Sequence, residues 1–246
     1  MTIRGDVSSL SPGTDVIWHD AECGNYEADL PLWEELAKGD VLDLGCGTGR
    51  VALHLARREC RVTGLDAELA FVDALSERAG ELPVTGVTGD ARDFDLDAEF
   101  DLVLAPMQLV QLFADAAERA ACLRCVAAHL RPGGLAAFAI VEEVPDPVEA
   151  PPPLPDTREV GGWVFSSLPI EAHVDADGLR VRRLRQTVAP DGELSEQLDE
   201  ILLAALDAST LEREAKAAGL EPAGRRAIPP TSDHVGSTVV LLERPA

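Results

Sequence analysis

Three glycines fall within five positions in the segment DVLDLGCGTGR (residues 40–50), at Gly45, Gly47 and Gly49. They directly follow an apolar run of strand length. Glycine at alternate positions suits a backbone that turns sharply and lets a ligand lie against its amide groups. Dinucleotides, phosphates and S-adenosylmethionine can all be held by such a loop. The neighbouring residues have to distinguish among these ligands.

The residues around the glycines favour S-adenosylmethionine over a dinucleotide. A dinucleotide loop has glycine at its first, third and sixth positions. Here Arg50 occupies the sixth position, and the third glycine comes one residue early, at Gly49. Asp43 lies two residues before the first glycine, where its carboxylate would oppose a pyrophosphate but attract an α-ammonium and a sulfonium. A nicotinamide-dependent oxidoreductase is therefore the disfavoured alternative.

Strand and helix patterns alternate along the first part of the chain. Such alternation predicts right-handed crossovers and a doubly wound, mostly parallel α/β sheet with helices on both faces. Apolar runs predict strands at 40–44, 61–66, 82–90, 100–105 and 135–141, and amphipathic runs predict helices at 48–59, 68–80 and 115–130.

The pattern changes after the fifth predicted strand. Six prolines between residues 145 and 157 exclude a helix or a central strand. Three β-like runs with glycine-containing turns follow, and they predict a small antiparallel insert. The chain is thus predicted to contain three parts. A flexible N-terminal arm covers 1–15, a ligand-binding domain covers 16–144 and 207–246, and a Pro-rich linker with a substrate-covering insert covers 145–206. Within the last segment of the domain, a helix at 209–220 and a strand at 237–244 are predicted.

Five segments resemble, in order, the motifs of class I S-adenosylmethionine-dependent methyltransferases. They are LDLGCGTG, the strand ending at Asp66, GDARDF, FDLVLAPMQLVQLF and LRPGGLAAFAI. The resemblance implies a seven-stranded, mostly parallel sheet, S-adenosylmethionine as cofactor and S-adenosylhomocysteine as product. It also implies that Asp66 accepts both ribose hydroxyls and that Asp90 and Ala91 border the adenine. The predicted cofactor-binding set is Asp43, Gly45, Cys46, Gly47, Gly49, Asp66, Ala67, Asp90, Ala91 and Met107.

The segment after the fourth predicted strand reads APMQ and departs from the Asn-Pro-Pro-Tyr type of motif found in DNA and protein amide N-methyltransferases of the family. The chain therefore looks like the small-molecule branch, with an N-terminal helical lid at 16–37. Three residues are candidate catalytic groups by position: Gln108 to orient the substrate, Tyr26 to stand over the sulfonium, and His19 as a general base. Each also has a purely structural alternative, as a helix start, a core residue or a solvated side chain.

The composition limits the partners. With 44 Asp and Glu against 21 Lys and Arg, the formal net charge of −23 repels nucleic acid and anionic membranes. No apolar segment has the length of a signal-peptide core or a membrane span, which predicts a cytoplasmic protein. The expected oligomeric state is a monomer or a homodimer. Cys122, Cys125 and His129 share one helical stripe but lack a fourth ligand, so no metal is expected. The sequence predicts O- or N-methylation of a small molecule, with a catalytically silent cofactor-binding sensor as the alternative.

Overall fold

The computed structural model describes residues 14–142, 153–231 and 234–246. Residues 1–13 of the predicted arm, 143–144 at the end of the predicted domain segment and 145–152 of the predicted linker lie outside the described residues. Thr14 and Asp15, which the sequence assigns to the arm, instead begin the first helix. The helices are α1 Thr14–Cys23, α2 Leu30–Leu36, α3 Arg50–Ala56, α4 Leu69–Ala79, α5 Ala116–His129 and α6 Ala208–Ala217.

The strands form two sheets. Seven of them form the larger sheet, in the order β10-β11-β5-β4-β1-β2-β3. Their ranges are β1 Asp40–Leu44, β2 Arg61–Asp66, β3 Val84–Thr88, β4 Phe100–Ala105, β5 Leu130–Ile140, β10 Glu221–Ile228 and β11 Ser237–Glu243. The other four, β6 Asp156–Val160, β7 Trp163–Val174, β8 Gly178–Val188 and β9 Leu194–Ala204, form an antiparallel sheet inserted after β5. The predicted doubly wound sheet with an antiparallel insert is confirmed.

Strand β1 lies in the middle of the larger sheet because it presents apolar side chains to both faces. Val41, Leu42 and Leu44 are fully buried, with one core cluster on each face of the sheet. β1 pairs in parallel with β2 on one side and β4 on the other. The strand order reverses between β1 and β4, so the carboxyl ends of these two strands form the switch point of the sheet, the crevice at which α/β sheets bind ligands.

Three elements differ from the sequence prediction. β5 begins at Leu130 rather than at residue 135, because the chain enters extended structure as soon as α5 ends, and the RPGG segment is part of the strand. β6 and β10 were not predicted as individual strands. Both are edge strands with mostly exposed residues, and β10 contains a proline and a glycine, so neither has the apolar pattern of a buried strand.

Candidate active site

The glycine loop joins β1 to α3 and is held against the end of β2. The amides of Gly45 and Cys46 both donate to the Leu65 carbonyl, at 2.8 and 3.1 Å. The amide of Gly47 donates to Asp66 Oδ2 at 2.8 Å. All three glycines have positive φ angles, between 53° and 97°, a region that side-chain-bearing residues rarely adopt. The loop conformation therefore depends on glycine at each alternate position.

Gly47 also allows helix α1 to lie directly on the loop. A Cβ atom at this position would be 2.2 Å from Nε2 of His19, which is far inside van der Waals contact. The same imidazole packs against Phe71 with ring centroids 4.6 Å apart, and its Nδ1 lies 3.3 Å from the Thr48 hydroxyl. Burial lowers the pKa of His19, with Asp20 and Asp66 opposing that shift. His19 is thus a neutral, half-buried group beside the glycine loop.

Gly47→Ala is expected to displace α1 and lower the free energy of unfolding. The collision with His19 adds the cost of overpacking, about 1–3 kcal/mol, to the strain of a positive φ. Gly80→Ala is the matched control, because Gly80 has the same φ of 53° but nothing within 4 Å of its Cβ position. Urea unfolding of both variants checks this, and equal destabilisation would show that the close approach of His19 costs nothing.

Asp66 ends β2 with its carboxylate fixed by backbone amides. Besides the amide of Gly47, the amide of Glu68 donates to Oδ1 at 3.0 Å. A carboxylate has about four lone-pair positions, so each oxygen keeps one for a further donor. The residue is half-buried, and Ala67 and Leu69 beside it are exposed. The position can therefore accept two hydroxyl donors from a ligand that lies along this edge.

Asp43 is a buried carboxylate with no hydrogen-bond partner of ordinary length among the described residues. It is 1% exposed, and neither Oδ1 nor Oδ2 accepts a hydrogen bond. Burial raises the pKa of its carboxyl to about 8, and the Arg50 charge and the nearby Ala52 amide only partly oppose that shift. An unpaired buried carboxylate next to the glycine loop is a site for a positively charged or hydrogen-bond-donating group.

Asp43→Asn is expected to change how stability depends on pH. The folded carboxyl keeps a proton that the unfolded one releases near its ordinary pKa of 3.8, so its contribution is complete below that value and is lost as the pH rises toward about 8. The Asn variant lacks this loss. Its free energy of unfolding should gain on wild type by up to about 1.4 kcal/mol per pH unit between about pH 5 and about pH 8. Urea unfolding across this range tests the effect, and parallel pH profiles would contradict it.

The loops after β3 and β4 bring further predicted residues to the same edge of the sheet. Ala91 is buried, whereas the Asp90 carboxylate is paired with the Arg92 guanidinium at 2.6 Å, which holds its pKa below the usual range. Met107 and Gln108 both have positive φ, 59° and 62°. Two consecutive strained non-glycine residues directly after β4 are typical of a ligand-binding turn.

The three predicted catalytic residues lie in different clusters around the crevice. His19 lies on the glycine loop, as described above. Nε2 of Gln108 donates to the Ser237 hydroxyl at 3.2 Å, which ties the turn after β4 to the start of β11. The buried Tyr26 ring packs between the Arg50 guanidinium, 5.2 Å from its centroid, and the ring of His234, 4.6 Å away. Their catalytic roles stay predictions.

The most extensively bonded side chain near the loop, Asp20, was missed by the sequence analysis. It is 4% exposed on α1 and accepts from the Thr48 hydroxyl at 2.7 Å and from the Arg78 guanidinium at 2.6 and 2.9 Å. Burial raises its pKa, but the hydrogen bonds from Arg78 and Thr48 outweigh burial and lower it. The only signal in the sequence was its position beside His19, because its partners are 28 and 58 residues away.

Arg50, the residue whose position in the loop disfavours a dinucleotide, holds neighbouring elements together. Its guanidinium forms a bidentate pair with Asp29 at 2.6 and 2.7 Å and donates to the Tyr26 carbonyl at 2.7 Å. Asp29 is 1% exposed and also accepts from the Trp33 indole at 2.8 Å. This network joins α2 and the segment before it to the first residue of α3.

The stripe of Cys122, Cys125 and His129 is part of the protein core. Nε2 of His129 accepts from the Leu96 amide at 2.8 Å, and Nδ1 lies 2.8 Å from the Cys125 carbonyl. Both ring nitrogens therefore have protein partners. Within the described ranges, no group of three or more His, Cys, Asp or Glu side chains is arranged to hold a metal ion. Nor does any helix there combine the length and apolarity needed to cross a bilayer.

Comparison with known proteins shows which family the region with these motifs resembles. Residues 41–134 match the family model described as a methyltransferase domain. The chain is 39% identical to the cypemycin N-terminal methyltransferase of Streptomyces sp over 52% of this chain and 49% of that protein. It is 30% identical to the 27-O-demethylrifamycin SV methyltransferase of Amycolatopsis mediterranei over 66% of this chain and 64% of that one. The sugar N-methyltransferase KedS8 of Streptoalloteichus sp shares the fold, with a TM-score of 0.70 at 23% identity over 100% of this chain and 97% of that one.

Residues 41–134 therefore form a methyltransferase domain, and the chain has the fold of class I S-adenosylmethionine-dependent methyltransferases. The chain spans about half the length of the first curated relatives that it matches, 49% and 46%. The residues of this methyltransferase domain fit the cofactor. The unpartnered Asp43 carboxylate lies beside the loop, the alternate glycines expose backbone, and Asp66 keeps free lone pairs at the end of β2.

Proposed function

We propose that the protein is an S-adenosylmethionine-dependent methyltransferase that acts on a small-molecule acceptor, with an amine as the preferred nucleophile. The observation that carries the proposal is the bond between the Gly47 amide and Asp66, because it fixes the glycine loop and the ribose-binding acid as one unit at the switch point of the sheet. The cofactor-binding roles of Asp43, Asp66, Asp90 and Met107 are part of this proposal.

The chain contributes binding and orientation. S-adenosylmethionine, when bound, supplies an electrophilic methyl group on a sulfonium. The main task of the protein is to hold the acceptor about 3 Å from that carbon and to exclude water, which can provide several kcal/mol of the barrier reduction. We infer that the turn at Met107 and Gln108 faces the acceptor, because it follows β4, the neighbour of β1 at the switch point of the sheet.

Two observations favour an amine over a hydroxyl. The net charge of −23 attracts a cationic ammonium toward the protein. Two of the three compared proteins are named as an N-terminal methyltransferase and a sugar N-methyltransferase. His19, in the role of a general base, would serve either nucleophile and does not decide between them. The negative net charge also disfavours nucleic acid as the acceptor.

The test is turnover of the purified chain with S-adenosylmethionine and three sets of acceptors: amino sugars, peptides with free N-terminal amines, and the matching hydroxyl compounds. Formation of S-adenosylhomocysteine with an amine but not with its hydroxyl counterpart is the expected result. Turnover with hydroxyl compounds alone would overturn the amine preference. Cofactor binding without turnover on any acceptor would favour the sensor function instead, and absence of cofactor binding would contradict the whole proposal.

A further inference from the structure

Helix α1 is attached to the insert as well as to the glycine loop. On the insert side, Glu22 accepts from the Arg185 guanidinium at 2.7 and 2.8 Å and from the Ser167 hydroxyl at 2.7 Å. Trp18 packs edge-on against Phe165 with ring centroids 5.1 Å apart. Ser167 and Phe165 are buried, so this is a closed contact between α1 and one face of the insert sheet.

Asp20 is the point at which the insert and the loop meet. Its Oδ1 accepts from the Thr48 hydroxyl in the glycine loop, and its Oδ2 lies 3.2 Å from a guanidinium nitrogen of Arg158 in β6, the edge strand of the insert. Arg78 of α4 holds both oxygens and also donates to the Thr48 carbonyl at 3.4 Å. One buried carboxylate is therefore shared by the insert, α4 and the loop.

We propose that Asp20 is a positioning residue through which docking of the insert sets the affinity of the glycine loop for its cofactor. Thr48 lies between Gly47 and Gly49, so the orientation of its hydroxyl is tied to the backbone that receives S-adenosylmethionine. When the insert undocks and Arg158 moves away, the Asp20 carboxylate keeps only the Arg78 guanidinium as a cationic partner and shifts toward it. Thr48 shifts as well, because its hydroxyl donates to Asp20. The coupling between insert docking and cofactor binding is reciprocal, so cofactor binding also stabilises the docked insert. The inference rests on the proposed cofactor.

The test is a double-mutant cycle on S-adenosylhomocysteine affinity, measured by calorimetry with Arg158→Ala, Thr48→Val and the double variant. Arg158 is 41% exposed, so its removal leaves the core intact. We expect Arg158→Ala to weaken binding about 5-fold and Thr48→Val to weaken it about 10-fold. The double variant should bind S-adenosylhomocysteine as tightly as Thr48→Val alone, because the effects of residues in one hydrogen-bonded network are coupled. Effects that multiply to about 50-fold would overturn the inference.

Arg182→Ala is the matched control. Arg182 is also an insert arginine of similar exposure, 37%, but its partners are Glu171 and Glu200 within the insert, at 2.9 and 3.8 Å. Its removal should leave the affinity within about twofold of wild type, and a loss equal to that of Arg158→Ala would assign the effect to general loosening of the insert. Failure of the wild type to bind S-adenosylhomocysteine would refute the proposed function, whereas binding with independent mutational effects would refute only the role of Asp20.

Discussion

Asp66→Ala is expected to lower the affinity for S-adenosylmethionine by at least about 100-fold, because two hydrogen bonds from hydroxyls to a charged acceptor contribute roughly 1.5–3 kcal/mol each. The variant also releases the Gly47 amide, which donates to Oδ2 of Asp66 at 2.8 Å, so the loop loses its attachment to β2. Calorimetric titration with S-adenosylmethionine and S-adenosylhomocysteine measures the change.

Asp73→Ala is the control for this variant. Asp73 is an exposed acid on α4, the helix that follows Asp66, and its removal changes the net charge by the same amount. The control should bind the cofactor as tightly as wild type. Equal affinity of Asp66→Ala and wild type would mean that the ligand does not lie along the end of β2, and the cofactor-binding roles proposed for the other residues of the edge would lose their support.

Asp29→Ala is expected to give the largest loss of stability, about 3–5 kcal/mol, because it leaves the Arg50 guanidinium buried without its bidentate partner. The two side chains are 1% and 10% exposed, so water cannot replace the lost carboxylate. The Trp33 indole loses its acceptor in the same step. Urea unfolding followed by tryptophan fluorescence measures the change. The double variant Asp29→Ala/Arg50→Met should be more stable than Asp29→Ala, since it removes the unpaired charge as well.

Glu35→Ala provides the comparison for this pair. Glu35 and Arg226 also form a bidentate ion pair, at 2.7 and 2.9 Å, but both side chains are largely exposed. Water and salt screen such a pair, so its removal should change the free energy of unfolding little. If Asp29→Ala were no more destabilising than Glu35→Ala, the buried network would not be what holds α2 to the start of α3.

The insert shows where sequence reasoning succeeded and where it stopped. The glycine-containing turns after Val174 and Val188 predicted antiparallel strands correctly, because short turns pair strands that are adjacent in sequence. The edge strand β6 carries no apolar alternation, since four of its five residues are exposed and neither face is buried. Its Arg158 nevertheless reaches Asp20, a contact across 138 positions of sequence that no local pattern indicates.

The sequence by itself determined the doubly wound sheet and the place of the insert, because these follow from local periodicity. It indicated the loop ligand through the glycine spacing, the Asp43 carboxyl beside it and the resemblance of five motifs to those of class I methyltransferases. Only the tertiary structure decided that Asp43 has no hydrogen-bond partner among the described residues and that His19 lies on Gly47. It alone brought Asp20 into contact with both Thr48 and the insert. Burial and long-range ion pairing depend on how distant segments meet, and that information is not present in any local stretch of the chain.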